Sequence, residues 1–347
     1  MSPPAGESGR GKGRRPGPVS GKRSSGRSPA GKGGKGGKAV PAGRAGGGRG
    51  PTTGGRGSRV STSKAEGGRA RGSRTTGDGR AGGRSSGPGT TSAGLGGDQV
   101  EGRRAVLELL RANRRAVRSV SMADGMDAAP ILDEIEALAA RRRVRVDLVS
   151  RRRIESLART DAPQGVVASA RPVEESPLEA LTEPGPRGRL PFLLVMDGIT
   201  DPHNLGSLLR SAECAGVTGI VLPRHRSVHL SPTVAKVAAG AIEYLPMALV
   251  SGVPAALQRL AALGVWSVGL VGEAPQPLYR LDLGDQPVAL VLGSEGSGLA
   301  PLTRKRCDVL ASIPQHGTLS SLNVSTAGAI ACFDVARQRS IARATRT

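Results

Sequence analysis

No stretch of this 347-residue chain approaches the ~18 consecutive apolar residues that a membrane-spanning helix needs, and nothing in it resembles a secretory signal. Cysteine is also sparse. Cys214, Cys307 and Cys332 lie far apart and form no Cys-x-x-Cys pair. That excludes a disulfide framework and a cysteine zinc site, and it points to free, buried thiols in a reducing, cytoplasmic setting. Acidic and aromatic side chains are almost missing from one end. Residues 1–97 hold no aromatic residue and only 3 Asp+Glu against 20 Lys+Arg, so +17 of the chain's +22 net charge lies there. The same stretch holds 32 of the 52 glycines and almost no apolar run. It cannot bury enough surface to offset ordering entropy, so residues 1–98 are expected to form a disordered tail. A Gly/Arg/Lys/Ser tail suits loose, salt-sensitive binding to nucleic acid, and it fits a solubilising appendage equally well. A transit peptide would also be Arg- and Ser-rich, but this much Gly and Pro would break its amphipathic helix.

What is present begins near Gln99. Val100 to Leu110 carries apolar residues at helical spacing. Val117–Val120 reads as a short strand, Ile131–Ala140 as a helix, Val144–Val149 as an alternating strand, Ile154–Leu157 as a helical turn and Gly165–Ala168 as a buried strand. This alternation predicts a small α/β domain over residues 99–170. Residues 171–190, rich in Pro, Glu and Gly, read as a linker. From residue 191 to 347 the pattern changes. Phe192–Met196, Gly219–Leu222, Trp266–Val271 and Val288–Leu292 are continuous apolar runs separated by helical segments. Such runs belong to a parallel sheet covered on both faces, with ligands expected at the C-terminal ends of the strands.

Three segments could carry chemistry. The first, Asp197 to Ala212, passes from a strand through a turn into a helix. Asn204 is placed to cap that helix, and Leu205, Leu208, Leu209 and Ala212 form its buried stripe. Arg210 would extend back over Gly206 and Ser207, with Gly206 leaving room for it, toward a helix N-terminus suited to phosphate. A solvated arginine beside an ordinary cap fits the same residues. The second, Gly293-Ser294-Glu295-Gly296-Ser297-Gly298-Leu299, follows an apolar strand. It lacks the Gly-Lys-Ser/Thr of a phosphate loop, and its glycines run GxxGxG, unlike the dinucleotide fingerprint. Glu295 would repel a phosphate, so a cationic cofactor fits this loop better, although a purely structural turn remains open. The third, Ile313 to Ser325, precedes a helix that starts with small residues. Ser321 and Asn323 could cap that helix and do nothing else.

In this order and spacing the segments read DPxNLGxxxRxA, LGSEGxGL and IPxxGxxxSLNVSxA. Together they resemble the three signature motifs of the SpoU/TrmH family of RNA 2′-O-methyltransferases, over residues 192–339. Residues 99–170 resemble, more weakly, the ribosomal-protein-like RNA-binding domain that precedes the catalytic domain in rRNA-modifying members. Two departures stand out: Pro163 where many relatives have His, and Ser297 where Lys is frequent. The resemblance implies a SPOUT-type α/β fold with a trefoil knot, a homodimer, and S-adenosyl-L-methionine held by the backbone at Gly293, Ile313 and Leu322. It also implies a catalytic constellation of Asn204, Arg210, Glu295, Ser321 and Asn323. His203, His225, His229 and His316 are expected on the surface or in loops.

The resemblance further implies that RNA is the partner, with large-subunit rRNA and a guanosine favoured by the two-domain layout. The family's motif-one arginine is often described as the general base. A guanidinium normally stays protonated, so Arg210 is expected instead to bind a neighbouring phosphate and stabilise a developing alkoxide. Glu295 would then orient donors in the loop, while Asn204, Ser321 and Asn323 position the nucleotide. The rival readings are a catalytically silent RNA-binding assembly factor, and a methyltransferase acting on tRNA or conferring antibiotic resistance through rRNA.

Overall fold

The computed structural model describes residues 94–319 and 321–346. The disorder expected for the tail falls mainly on residues 1–93, outside the described residues. The first ordered element is β1 (Gln99–Glu101), followed by α1 (Arg103–Ala112), β2 (Val117–Ala123), α2 (Pro130–Arg141), β3 (Arg145–Val149), α3 (Arg151–Leu157) and β4 (Val166–Ala170). These strands form one sheet in the order β1-β4-β2-β3, antiparallel except for the β2/β3 pair. Val166, Ala168 and Ala170 of β4 face a core shared with α1 and α2, while Val167 faces Ile154 of α3. A two-residue period thus serves both faces.

Val100 and Glu101 were expected to be helical, and they lie in a strand. Gly102, at φ 96°, turns the chain between β1 and α1 in a conformation that suits glycine. The Glu101 carboxylate is fully buried, and it accepts from Arg159 N (2.6 Å), Thr160 N (3.2 Å) and Gln99 Nε2 (2.7 Å). Buried charge of this kind is tolerable only when hydrogen-bonded.

The larger sheet contains β5 (Phe192–Asp197), β6 (Gly219–Pro223), β7 (Met247–Val250), β8 (Trp266–Leu270), β9 (Gln276–Pro277), β10 (Val288–Gly293) and β11 (Val309–Ser312). Its helices are α4 (Pro202–Ala215), α5 (Pro232–Val237), α6 (Val253–Ala262), α7 (Pro301–Arg306) and α8 (Val324–Arg346). Strand order is β7-β6-β5-β10-β8-β11-β9, parallel throughout. Phe192, Leu194 and Met196 enter a core with Leu205, Leu208 and Leu209 of α4 and Ala331, Cys332 and Val335 of α8. Leu193 and Val195 enter the opposite core, with Leu257 and Leu260 of α6. That double cover is why the strand is apolar at every position from 192 to 196 and not at alternate ones.

Two expectations about the flanks need correction. Residues 94–98 are not part of a disordered tail: Leu95 is fully buried in the core of the larger sheet, and Gly97 N donates to Leu230 O at 2.7 Å. A single leucine among glycines is too little pattern to read as core. The expected linker is also packed. Leu181 is buried against the same core as Leu193 and Val221, and short 3-10 turns span Glu179–Thr182 and Pro186–Gly188. The two sheets are joined by a buried ion pair. Arg115 reaches Glu243 through Nε (2.9 Å) and Nη2 (2.6 Å), while its Nη1 donates to the carbonyls of Gly97 and Arg171 at 2.5 Å each. Among the described residues no helix is long and apolar enough to cross a membrane.

Candidate functional site

β5 leads outward through β6 to β7, while β10 returns to lie between β5 and β8. The place where strand order reverses is where open α/β sheets leave a crevice at their C-terminal ends. Gly293 and Asp197 are paired there, at the last residues of β10 and β5. The chain then closes a tight loop: Ser294 N donates to Gly298 O (3.0 Å) and Gly298 N to Ser294 O (2.9 Å). Gly296 (φ 79°) and Gly298 (φ 65°) supply the left-handed conformations. A Cβ on Gly293 would overlap the backbone of Gly298 and Leu299, so no larger residue fits. Asp197 Oδ2 accepts from Ala300 N at 2.9 Å and pins the far end of the loop.

The helix after β5 is capped by Asp201, and the expected cap at Asn204 is corrected. The Asp201 side chain accepts from His203 N at 3.0 Å, and Pro202 occupies the first turn. An acidic residue followed by proline at the first helical position is itself an N-terminal signature that could have found Asp201. Freed from capping, Asn204 is buried and donates Nδ2 to Asp201 Oδ2 (2.9 Å) and to Glu295 Oε1. Gly206 does not leave room for Arg210. It is buried against α5, where an added Cβ would lie 2.6 Å from Val237 Cβ.

Asn323 caps α8 and also reaches the site. Its Oδ1 accepts from Ser325 N (2.9 Å) and Thr326 N (3.3 Å). That use of the oxygen fixes the amide orientation, and Nδ2 donates to Asn204 Oδ1 (3.1 Å) and Glu295 Oε1 (2.9 Å). Residues 204, 295 and 323, far apart in the chain, therefore close a ring of hydrogen bonds. Gly328 in the second turn of α8 sits against the side chains of Leu208 and Leu292.

Beside this ring lies a cavity of about 640 Å³ whose lining includes Gly293, Glu295, Ile313, Ser321, Leu322 and Asn323. Arg210 does not line it. That side chain is exposed and makes no hydrogen bond or ion pair among the described residues. Six residues along α4, it lies about 120° around the helix from Asn204. The structure therefore assembles seven of the eight expected site residues and leaves Arg210 on the surface nearby. The expectation of buried thiols holds only for Cys332. Cys214 is exposed and Cys307 half-buried. Burial pushes the Cys332 thiol up to about 12, and burial with Asp308 and Asp197 does the same for Cys307. Both stay protonated and unreactive near neutrality. His203, His225 and His316 are exposed, and His229 is half-buried.

The cavity lining tests the cofactor expectation. It contains one acid, Glu295, and no Lys, Arg or His, and apolar Leu270, Leu292 and Ile313 form part of its wall. It would reject a phosphate-bearing cofactor and suits a small molecule with an apolar body and a cationic centre.

An open parallel sheet with such a cavity at its switch point defines an α/β domain with room for a non-phosphorylated cofactor beside an amide–carboxylate cluster. The chain belongs to the SpoU rRNA methylase family: that family's model matches residues 191–333, and the model described as RNA 2′-O ribose methyltransferase substrate binding matches residues 99–176. It is 42% identical over 245 residues to a 23S rRNA (guanosine-2′-O-)-methyltransferase of Pseudomonas aeruginosa, covering 70% of this chain and 97% of that one. A Ralstonia nicotianae protein of the same name is 41% identical over 69% of this chain and 95% of its own length. The AdoMet-bound rRNA methyltransferase from Sinorhizobium meliloti superposes with a TM-score of 0.58 at 25% identity, covering 69% of this chain and 86% of that one.

Proposed function

We propose that this protein transfers the methyl group of S-adenosyl-L-methionine to the ribose 2′-hydroxyl of a guanosine in 23S rRNA. The observation that carries this reading is the base-free cavity of about 640 Å³ opening beside the Asn204–Glu295–Asn323 ring. The cofactor supplies an activated methyl on a sulfonium centre. Backbone at Gly293, Ile313 and Leu322 would hold it, and the Glu295 carboxylate lies in the same lining to favour its positive charge. Asn204, Ser321 and Asn323 position the ribose, with the amides held in one orientation by Asp201 and the α8 cap.

Arg210 is assigned to a phosphate of the target strand, and its exposure supports that role because a bound backbone must reach it from solvent. The 2′-proton then leaves to solvent or to a weak acceptor. A pH–rate profile that is flat through the carboxylate and histidine range is expected, whereas a rate following one pKa of about 4–7 would assign the base to Glu295 or a histidine. The arginine-rich domain over residues 99–170 holds the RNA, and the molecule works in the cytoplasm as a homodimer. Phe333 and Ile341, exposed on α8, support a partner subunit there. Threading of the α8 segment through a trefoil knot belongs to the same reading.

The test is to map 2′-O-methyl sites in 23S rRNA from cells with and without the gene, alongside tritium transfer by the purified protein. Loss of one guanosine methylation on deletion is expected. An unchanged map, with no transfer in vitro, would leave the silent assembly factor as the better reading.

A further inference from the structure

Three cavities meet at one residue. Ser294 lines the cofactor cavity, a small cleft that also touches Asn204 and Glu295, and a third cavity of about 790 Å³ across the glycine loop. This third space lies at the C-terminal ends of β5, β6 and β7, between the loop and the segment carrying His225 and Arg226. A ribose held at Glu295 would have the methyl donor on one side of Ser294 and this cavity on the other.

Its lining is mostly apolar, with a carboxylate and a hydroxyl set into it and exposed basic residues beside them. Asp197 lines it with Oδ2 committed to Ala300 N at 2.9 Å and with no hydrogen bond to Oδ1 among the described residues. The hydroxyl of Thr303, a fully buried residue of the same lining, also lacks a partner. His225 and Arg226 are exposed at the mouth. A carboxylate in the lining opposes entry of a phosphate and favours a group rich in N–H donors, while Arg226 at the mouth suits a phosphate outside. Pro223, Pro254 and Leu299 give apolar surface for a flat ring. Among the four bases only guanine presents two adjacent donors, N1–H and the 2-amino group, on one edge. One carboxylate can accept both.

We infer that this cavity receives the base of the target nucleotide, turned out of its stack, and that Asp197 reads the guanine edge. The inference rests on the proposed methyl transfer to a guanosine and adds the residue that selects the base. Asp197 is a specificity-determining residue here, and it is separate from the groups that touch the 2′-oxygen. Extruding the base is also what placing a ribose between two cavities demands.

The test uses full-length protein and synthetic RNA fragments spanning the mapped methylation site, with guanosine, inosine, 2-aminopurine or adenosine at the target. For the wild type, inosine lacks the 2-amino donor and 2-aminopurine lacks N1–H, so each should lower kcat/KM by about tenfold, and adenosine by about a hundredfold. Asp197→Asn keeps an oxygen for Ala300 N and replaces the reading oxygen by an amino group. It should bring the guanosine-to-inosine ratio close to one while cofactor affinity, measured by calorimetry, stays within about twofold. Arg226→Ala should raise KM for every fragment without changing that ratio. Equal wild-type rates on guanosine and inosine would overturn the inference even if Asp197→Asn failed to fold. So would a variant that folds and keeps the wild-type ratio. Failure of the wild type to methylate any 23S fragment would overturn the parent reading, and this one with it.

Discussion

Between residues 99 and 170 all 14 basic residues are arginine, and Arg141, Arg143, Arg145, Arg151, Arg152 and Arg153 lie exposed along β3 and the adjoining ends of α2 and α3. In the larger sheet the polar groups that define the site are asparagines and carboxylates turned toward one another at strand ends. Attraction to a polyanion needs charge but little fixed geometry, so it can be built from flexible, solvated side chains. Transfer of a methyl group in line to one oxygen needs geometry, and in the proposed mechanism the Asn204–Asn323 pair would supply it, because both ends of each amide are already used. In the proposed mechanism one sheet supplies affinity and the other supplies position.

The sharpest way to break this division is at its joint. Arg115→Ala removes one half of a buried pair whose side chains are 6% and 2% exposed. It leaves the Glu243 charge buried and takes a donor from the carbonyls of Gly97 and Arg171. A loss of about 3–5 kcal/mol of stability is expected, read by chemical denaturation, with the small sheet separating from the large one. Adding Glu243→Gln should recover part of it. A loss below about 1 kcal/mol would mean that the two sheets are held by something else.

Arg210 tests the comparison from the other side, because it is an exposed arginine on the sheet that supplies position. Arg210→Ala should lower methyl transfer by roughly 10²–10³-fold, the scale of removing one electrostatic partner of developing charge, with calorimetric cofactor affinity nearly intact. It lies outside the cofactor lining, so parallel loss of cofactor affinity would sink the proposed division of labour.

What the sequence made legible follows the same line. Strands buried on both faces were plain, since Phe192–Met196 and Val288–Leu292 are apolar at every position. The stripe Leu205, Leu208, Leu209 and Ala212 was plain by its spacing. Short outlying strands were not: Met247–Val250 and Val309–Ser312 are four residues each, too short for a period to declare itself. Val100 fitted a helical pattern until Gly102 interrupted it. The motifs named Asn204, Glu295 and Asn323, but nothing local shows that residues 91 and 119 positions apart share a hydrogen bond. For the same reason Gly206 was read as facing Arg210 when it faces Val237.

Asn323→Asp separates capping from positioning at one residue. Aspartate caps a helix as well as asparagine, so the start of α8 should lose little stability. The former amide nitrogen, 2.9 Å from Glu295 Oε1, becomes a carboxylate oxygen facing another. Turnover should fall about tenfold at neutral pH. It should recover partly as pH falls, because like charges at that distance raise one carboxyl pKa and the pair then holds a proton. A rate equally reduced at every pH would assign the loss to a missing donor instead.

The smallest effect, and the one that tests whether affinity and position are separable, concerns the basic segment. Residues 1–93 carry the same 20 Lys+Arg and 3 Asp+Glu as residues 1–97, because 94–97 hold no charged residue. Removing 1–93 should leave the fold and the methylated nucleotide unchanged and weaken RNA binding mainly at low salt. Each phosphate that is no longer neutralised should reduce the slope of log K against log[salt] by roughly 0.7–0.9, and the two proteins should converge in affinity as salt screens the charge. Removing 1–97 takes Leu95 as well, which is fully buried among Phe192, Leu230 and their neighbours, and breaks the Gly97–Leu230 hydrogen bond. That longer deletion should cost a further ~1.5–3 kcal/mol of stability with no additional change in salt slope, since it removes no further charge. Equal salt slopes for the intact and the 94–347 proteins would show that the basic segment does not touch RNA. Equal stability of the two truncations would show that Leu95 contributes nothing to the core it occupies.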